Sequence, residues 1–140
     1  RRLHEARQRG DREVTVWGSG EPRREFLHSE DMADACVHLM ALPDAAFDGL
    51  LGGDPLAPEH LDPPLVNIGS GQDLTIAELA ACVARTVGFD GALRFDRSKP
   101  DGTPRKLLNV GRLGATGWSP RIGLEEGLQR AYRDFLARVA

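Results

Sequence analysis

Apolar residues recur at helical spacing in three stretches of the chain. The clearest begins at Thr75-Ile76-Ala77-Glu78, a capping box, with Leu74 and Leu79 placed to close a hydrophobic staple around it. Ile76, Leu79, Ala80, Val83 and Val87 then share one face, and Gly88 stands where that helix should stop. A second stripe, Leu124, Leu128, Ala131, Tyr132, Phe135 and Val139, predicts a C-terminal helix that closes the domain. The third helix is predicted to start at Ser29 as its N-cap. Glu30 and Asp31 suit the positive helix start, and Met32, Cys36, Leu39 and Met40 follow as its apolar face. Residues 1–6 read as the tail of a helix already under way.

Runs rich in β-branched and aromatic residues, bounded by Gly, Pro or Asp, predict strands at residues 14–17, 25–28, 65–68 and 93–95. Residues 43–64 are rich in proline, glycine and acids and have little periodicity, so they are expected to form a surface loop inside one domain. Short strands alternating with helices place the chain in the α/β class, as a small mixed α/β layer that would pack beside a larger partner.

Composition adds mainly exclusions. With 140 residues, 41% hydrophobic and 28% charged, the chain is an ordinary globular sequence. A formal charge of -3 lacks the positive field on which non-specific nucleic-acid binding relies. No run approaches the roughly 20 apolar residues that cross a bilayer, and no signal-peptide pattern opens the chain, so no membrane partner and a cytoplasmic location are expected. The sequence begins Arg1-Arg2-Leu3 without Met and is expected to be N-terminally truncated. Cys36 and Cys82 lie inside helical patterns with no Cys-x-x-Cys spacing; buried structural thiols are expected, and no metal site.

Three glycine-punctuated passages carry the candidate chemistry. Gly18-Ser19-Gly20 follows Trp17 and precedes Arg23 and Arg24, a turn suited to a phosphate because a guanidinium offers two hydrogen bonds to its oxygens; a hairpin with surface arginines is the alternative. Asn67-Ile68-Gly69-Ser70-Gly71 is a strand-to-turn-to-helix passage whose N–H groups could meet a polar ligand. Ser98-Lys99-Pro100-Asp101-Gly102-Thr103-Pro104-Arg105-Lys106 holds both lysines of the chain. It suits a diphosphate, with solvated turn charges as the alternative.

These passages resemble one family. Val16 to Ala33 is similar to the VWGSGxPxREFLHxxDMA block of GDP-L-fucose synthases, residues 67–71 to their NxGxG turn, and residues 98–108 to their SKPDGTPRKLL block. Other extended short-chain reductases, epimerases and dehydratases share only looser forms of the first two; the third narrows the family. The resemblance covers nearly the whole chain. It implies the C-terminal nucleotide-sugar-binding domain, residues 1–140, of an extended short-chain dehydrogenase/reductase whose Rossmann half is absent. The complete enzyme would epimerise GDP-4-keto-6-deoxy-D-mannose at C3 and C5 and reduce C4 with NADPH, giving GDP-L-fucose, as a homodimer.

The family's catalytic Ser, Tyr-x-x-x-Lys, Cys and His, and its cofactor turn, precede this sequence; Cys36, Cys82 and His4 do not match them, so no catalytic residue is expected here. The resemblance carries over Arg2, Trp17 and Arg24 as contacts to the GDP-sugar and Lys106 as a basic residue near its diphosphate, with Arg24 and Lys106 acting together. Asp101 is a further candidate, although Asp before Gly is equally a turn former. His28 is expected to orient the adjoining loop, whereas His4, His38 and His60 suggest no partner. Asn109 and Ser29 depart from the family's usual acid and Val. Alone, the chain is expected to be inactive and marginally stable, with part of its apolar surface uncovered. A related nucleotide-sugar epimerase or dehydratase and a non-catalytic nucleotide-binding module are the other readings.

Overall fold

The computed structural model describes residues 1–51 and 65–139. Helix α1 (Arg2–Arg9) leads into strand β1 (Glu13–Trp17), and β2 (Arg23–Glu25) into helices α2 (Ser29–Met40) and α3 (Asp44–Leu51). Then follow β3 (Asp73–Thr75), α4 (Ile76–Val87), β4 (Ala92–Asp96), β5 (Arg105–Lys106), α5 (Gly111–Gly114) and α6 (Leu124–Val139). Two small sheets organise this mixed α/β lobe. In one, β1 runs parallel to β4, with Val14 opposite Leu93 and Val16 opposite Phe95. In the other the order is β3-β2-β5, with β2 antiparallel to β3 and parallel to β5.

Helix α4 forms as its sequence dictates. The Thr75 hydroxyl accepts the Glu78 N–H at 3.1 Å, the Glu78 carboxylate accepts the Thr75 N–H at 2.7 Å, and Gly88 ends the helix at φ +70°. Its buried residues Ala84 and Val87 join Ala6 and Phe89 in one core cluster, against which Leu3, Val14, Leu93 and Tyr132 pack. A separate cluster of Ala35, Leu113 and Trp118 gathers Leu27, Leu39, Val66 and Ile68. Among the described residues the lobe therefore rests on two small cores. Among the described residues no helix is long and apolar enough to cross a membrane.

Several expectations need correction. The inward face of α2 is Asp31 and Ala35, while Met32, Cys36 and Met40 face outward. A polar residue takes the buried position because the Asp31 carboxylate accepts the backbone N–H groups of Arg121 at 3.2 Å and Ile122 at 2.9 Å, contacts no local pattern announces. Cys36 is consequently exposed and Cys82 half-buried, so neither is a buried thiol. The N-cap of α2 is His28, whose Nδ1 accepts the Glu30 N–H, and Ser29 is already helical.

Residues 25–28 form no strand as such, because the ladder occupies Arg23–Glu25 and the chain turns into α2 at His28. Residues 65–68 pair with no strand among those described: Val66 and Ile68 pack on the Trp118 cluster, and β-propensity without a neighbouring edge produces no ladder. Part of the expected 43–64 loop is helix α3; residues 52–64, with His60, lie outside the described residues. Two other histidines do have partners: His4 Nδ1 lies 2.8 Å from the Tyr132 hydroxyl and His38 Nε2 2.8 Å from that of Thr116.

Candidate functional site

Side chains alternate across a sheet, and the β3-β2-β5 sheet sorts four cations by that rule. Arg23 pairs with Arg105 in the parallel register and Arg24 with Lys106, so the two pairs face opposite sides. Asp73 answers the first pair. Its side chain is 4% exposed and holds Arg23 Nε at 2.9 Å and Arg105 Nε at 2.5 Å. The Arg105 guanidinium first, and then that of Arg23, keep the Asp73 carboxyl below the usual carboxylate range.

No carboxylate among the described residues answers the second pair. Arg24 Nη1 donates to its neighbour's carbonyl, Arg23 O, at 2.6 Å, and Lys106 makes no side-chain hydrogen bond or ion pair among the described residues. Like charges directly across a ladder repel, so an anion between Arg24 and Lys106 relieves a cost that Asp73 has already relieved on the other side. Both were expected on stiffened turns, yet they lie on paired strands whose ladder sets their spacing.

The loop between β4 and β5 closes over the Gly18-Ser19-Gly20 turn. Asp101 accepts the Ser19 N–H at 2.8 Å and the Ser19 hydroxyl at 2.6 Å, and that hydroxyl followed by that amide lowers its carboxyl below the usual range. Both oxygens of Asp101 thus face inward to Ser19. Gly18 is required there: its φ is +87°, and a Cβ would stand 2.4 Å from Asp101 Oδ1. On the same loop Lys99 Nζ sits 5.7 Å from the Trp17 ring centroid, within cation–π range, and Trp17 is 70% exposed. Farther along, Gly102 passes Arg24, where a Cβ would lie 3.2 Å from Nη2. Trp17, Asp101, Arg24 and Lys106 are thereby joined through one loop and its strands, Arg24 half-buried and the others exposed.

Arg2 is placed differently. It donates to the Thr15 carbonyl at 2.8 Å and lines a groove with Glu5, Asp11 and Glu13. The Asn67–Gly71 turn also differs from expectation, since its amide serves the protein itself: the Gly71 N–H donates to Glu25 at 2.6 Å. Glu25, Asp73 and Ser19 were missed in the sequence because their partners lie 32 to 83 positions away. Among the described residues no His, Cys, Asp or Glu trio is placed to hold a metal ion.

Residues 1–50 match the NAD dependent epimerase/dehydratase family. Over nearly its whole length the sequence is similar to GDP-L-fucose synthases. It is 48% identical over 139 residues to GDP-L-fucose synthase 1 of Arabidopsis thaliana, covering 99% of this chain and 38% of that protein. It is 48% identical over 138 residues to the GDP-L-fucose synthase of Escherichia coli strain K12, covering 97% and 40%. The chain therefore spans about two-fifths of the length of these curated relatives. Among solved structures, a GDP-6-OMe-4-keto-L-xylo-heptose reductase from Campylobacter jejuni superposes with a TM-score of 0.79 at 35% identity, over 91% of this chain and 34% of that one.

Proposed function

We propose that this chain is the GDP-sugar-binding portion of a GDP-L-fucose synthase, and that Arg24 and Lys106 hold the diphosphate between them. The observation that carries this reading is the sheet register: two cations stand side by side on one face with no acid paired to them among the described residues, while the pair on the other face shares Asp73. Trp17, exposed beside Lys99, offers an aromatic wall to the ribose or sugar, and Arg2 adds a cation at the β1 side. Asp101 holds the Ser19 turn, which makes it a positioning group for that wall.

In the complete enzyme the reaction would be 3,5-epimerisation and NADPH-dependent 4-reduction of GDP-4-keto-6-deoxy-D-mannose. In the turns described here the Ser19 N–H is already engaged by Asp101 and the Gly71 N–H by Glu25. We assign the cofactor and the catalytic residues to the part of the longer protein outside this chain, and expect the chain alone to be inactive. A cytoplasmic homodimer belongs to the same reading and is checked by fractionation and light scattering. A related GDP-sugar reductase is the second reading, favoured by the likeness to the heptose reductase; identifying the product from a complete polypeptide separates the two.

Calorimetric titration of GDP into a complete polypeptide carrying this sequence tests the site. Arg24→Ala and Lys106→Ala should each lose about 1.5 to 3 kcal/mol, about tenfold to hundredfold in affinity. The double mutant should depart from additivity by about 0.5 to 3 kcal/mol, because both groups touch one ligand. Cofactor affinity should stay unchanged. Unaltered GDP binding in both single mutants returns the residues to solvated surface charges.

A further inference from the structure

Strand β5 is two residues long and its ladder with β2 has two pairs, so the ladder alone is a short hold on Lys106. What lies on either side must fix its direction. Upstream, the Arg23 N–H donates to Pro104 O at 2.8 Å. Downstream, the Leu108 N–H donates to Glu25 Oε2 at 3.0 Å. Glu25 directly follows Arg24, and its other oxygen, Oε1, accepts the Gly71 N–H at 2.6 Å and the Ser70 hydroxyl at 3.3 Å. One side chain thus ties both flanks of β2 at once: the turn entering β3 and the segment leaving β5.

The packing around this carboxylate is exclusive. A Cβ on Gly69 would lie 2.5 Å from Glu25 Oε1, and 2.9 and 3.1 Å from Cδ and Oε2, so glycine is what lets the turn close on the acid. The donors converging on it are two backbone amides and one hydroxyl, and no cation pairs with it among the described residues. Its charge is therefore used as an acceptor for main-chain donors, the arrangement in which a carboxylate orients backbone most strongly.

We propose that Glu25 is a positioning residue for the anion site. By clamping Leu108 and Gly71 it sets the spacing of Lys106 from Arg24, and through it the affinity for a nucleoside diphosphate. This rests on the reading that Arg24 and Lys106 hold the diphosphate. Gln at this position keeps the size but turns an amide donor toward one of the two N–H groups, which releases one clamp.

The test is GDP titration, with cofactor affinity and thermal unfolding measured alongside, in a complete polypeptide carrying Glu25→Gln, Lys106→Ala or both. Glu25→Gln should weaken GDP binding about tenfold while the folded protein keeps its cofactor affinity. Added to Lys106→Ala, it should cost less than it costs alone, because it acts through the same contact. If Glu25→Gln does not fold, Glu25→Asp, one methylene short of spanning both amides, carries the same expectation. A lowered unfolding midpoint with GDP affinity unchanged, or full additivity with Lys106→Ala, overturns the proposal. Unchanged affinity in Arg24→Ala and Lys106→Ala overturns the underlying reading instead.

Discussion

At the scale of single residues, the carboxylates do most of the fastening, and Asp73 gives the clearest pH dependence. Its folded pKa lies below its unfolded value near 4, so its stabilising effect is fully present above about pH 5 and fades as pH falls through the unfolded and then the folded value. The denaturation midpoint of Asp73→Asn should therefore lie below wild type near neutrality and converge with it in acid. A gap independent of pH would show that the two guanidinium contacts are not its source. Glycines supply a second test. Gly18→Ala forces a side chain into a left-handed conformation against Asp101 and should destabilise by at least about 1 to 2 kcal/mol. Gly114→Ala, in α5 with open space around it, should be neutral or stabilise by up to about 1 kcal/mol. Equal effects in chemical denaturation would contradict the conformational account.

Among the elements, α4 is the one whose ends follow its local signals, although of the expected stripe only Val87 is buried and Ala84 joins it. It carries the reciprocal cap at one end and the left-handed glycine at the other, and its inner face joins α1 to α6. Thr75→Ala removes one side of the box and should cost about 1 kcal/mol in urea denaturation, since an unanswered N-terminal amide is left behind. A cost below a few tenths would mean that packing alone holds the helix. Helix α6 presents the opposite case. None of its residues is fully buried: along the expected stripe Leu124, Leu128, Tyr132 and Phe135 are half-buried while Ala131 and Val139 are exposed, and the His4–Tyr132 hydrogen bond is its polar tie to α1.

For the molecule as a whole, the balance is between two small cores and a substantial uncovered apolar surface. Val37 and Met40 on α2 are 64% and 86% exposed, and Leu65 is 65% exposed. A surface of this kind usually meets another surface, and the chain spans about two-fifths of its curated relatives. The isolated chain should bind a hydrophobic dye and unfold at low denaturant. Val37→Lys and Met40→Lys together should reduce dye fluorescence while changing stability by no more than about 1 kcal/mol, because each exposed position contributes within about 0.5 kcal/mol. Undiminished dye binding would move the sticky surface elsewhere.

The sequence by itself determined the elements whose signals are local. The capping box and Gly88 bounded α4, β-rich runs between glycine, proline and aspartate located β1 and β4, and the stripe of α6 followed from helical periodicity. It also singled out Arg24, Lys106, Trp17 and Asp101 as residues worth placing. Tertiary structure decided everything that depends on distant partners. It buried Asp31 in place of Met32 and left Cys36 in solvent, because the amides of residues 121 and 122 needed an acceptor. It left residues 65–68 without a ladder, paired Arg23 and Arg105 through Asp73, and set Arg24 beside Lys106. Periodicity fixes which side of an element a residue faces, but contacts across 32 to 91 positions fix what it meets there, and charge is sorted by what it meets.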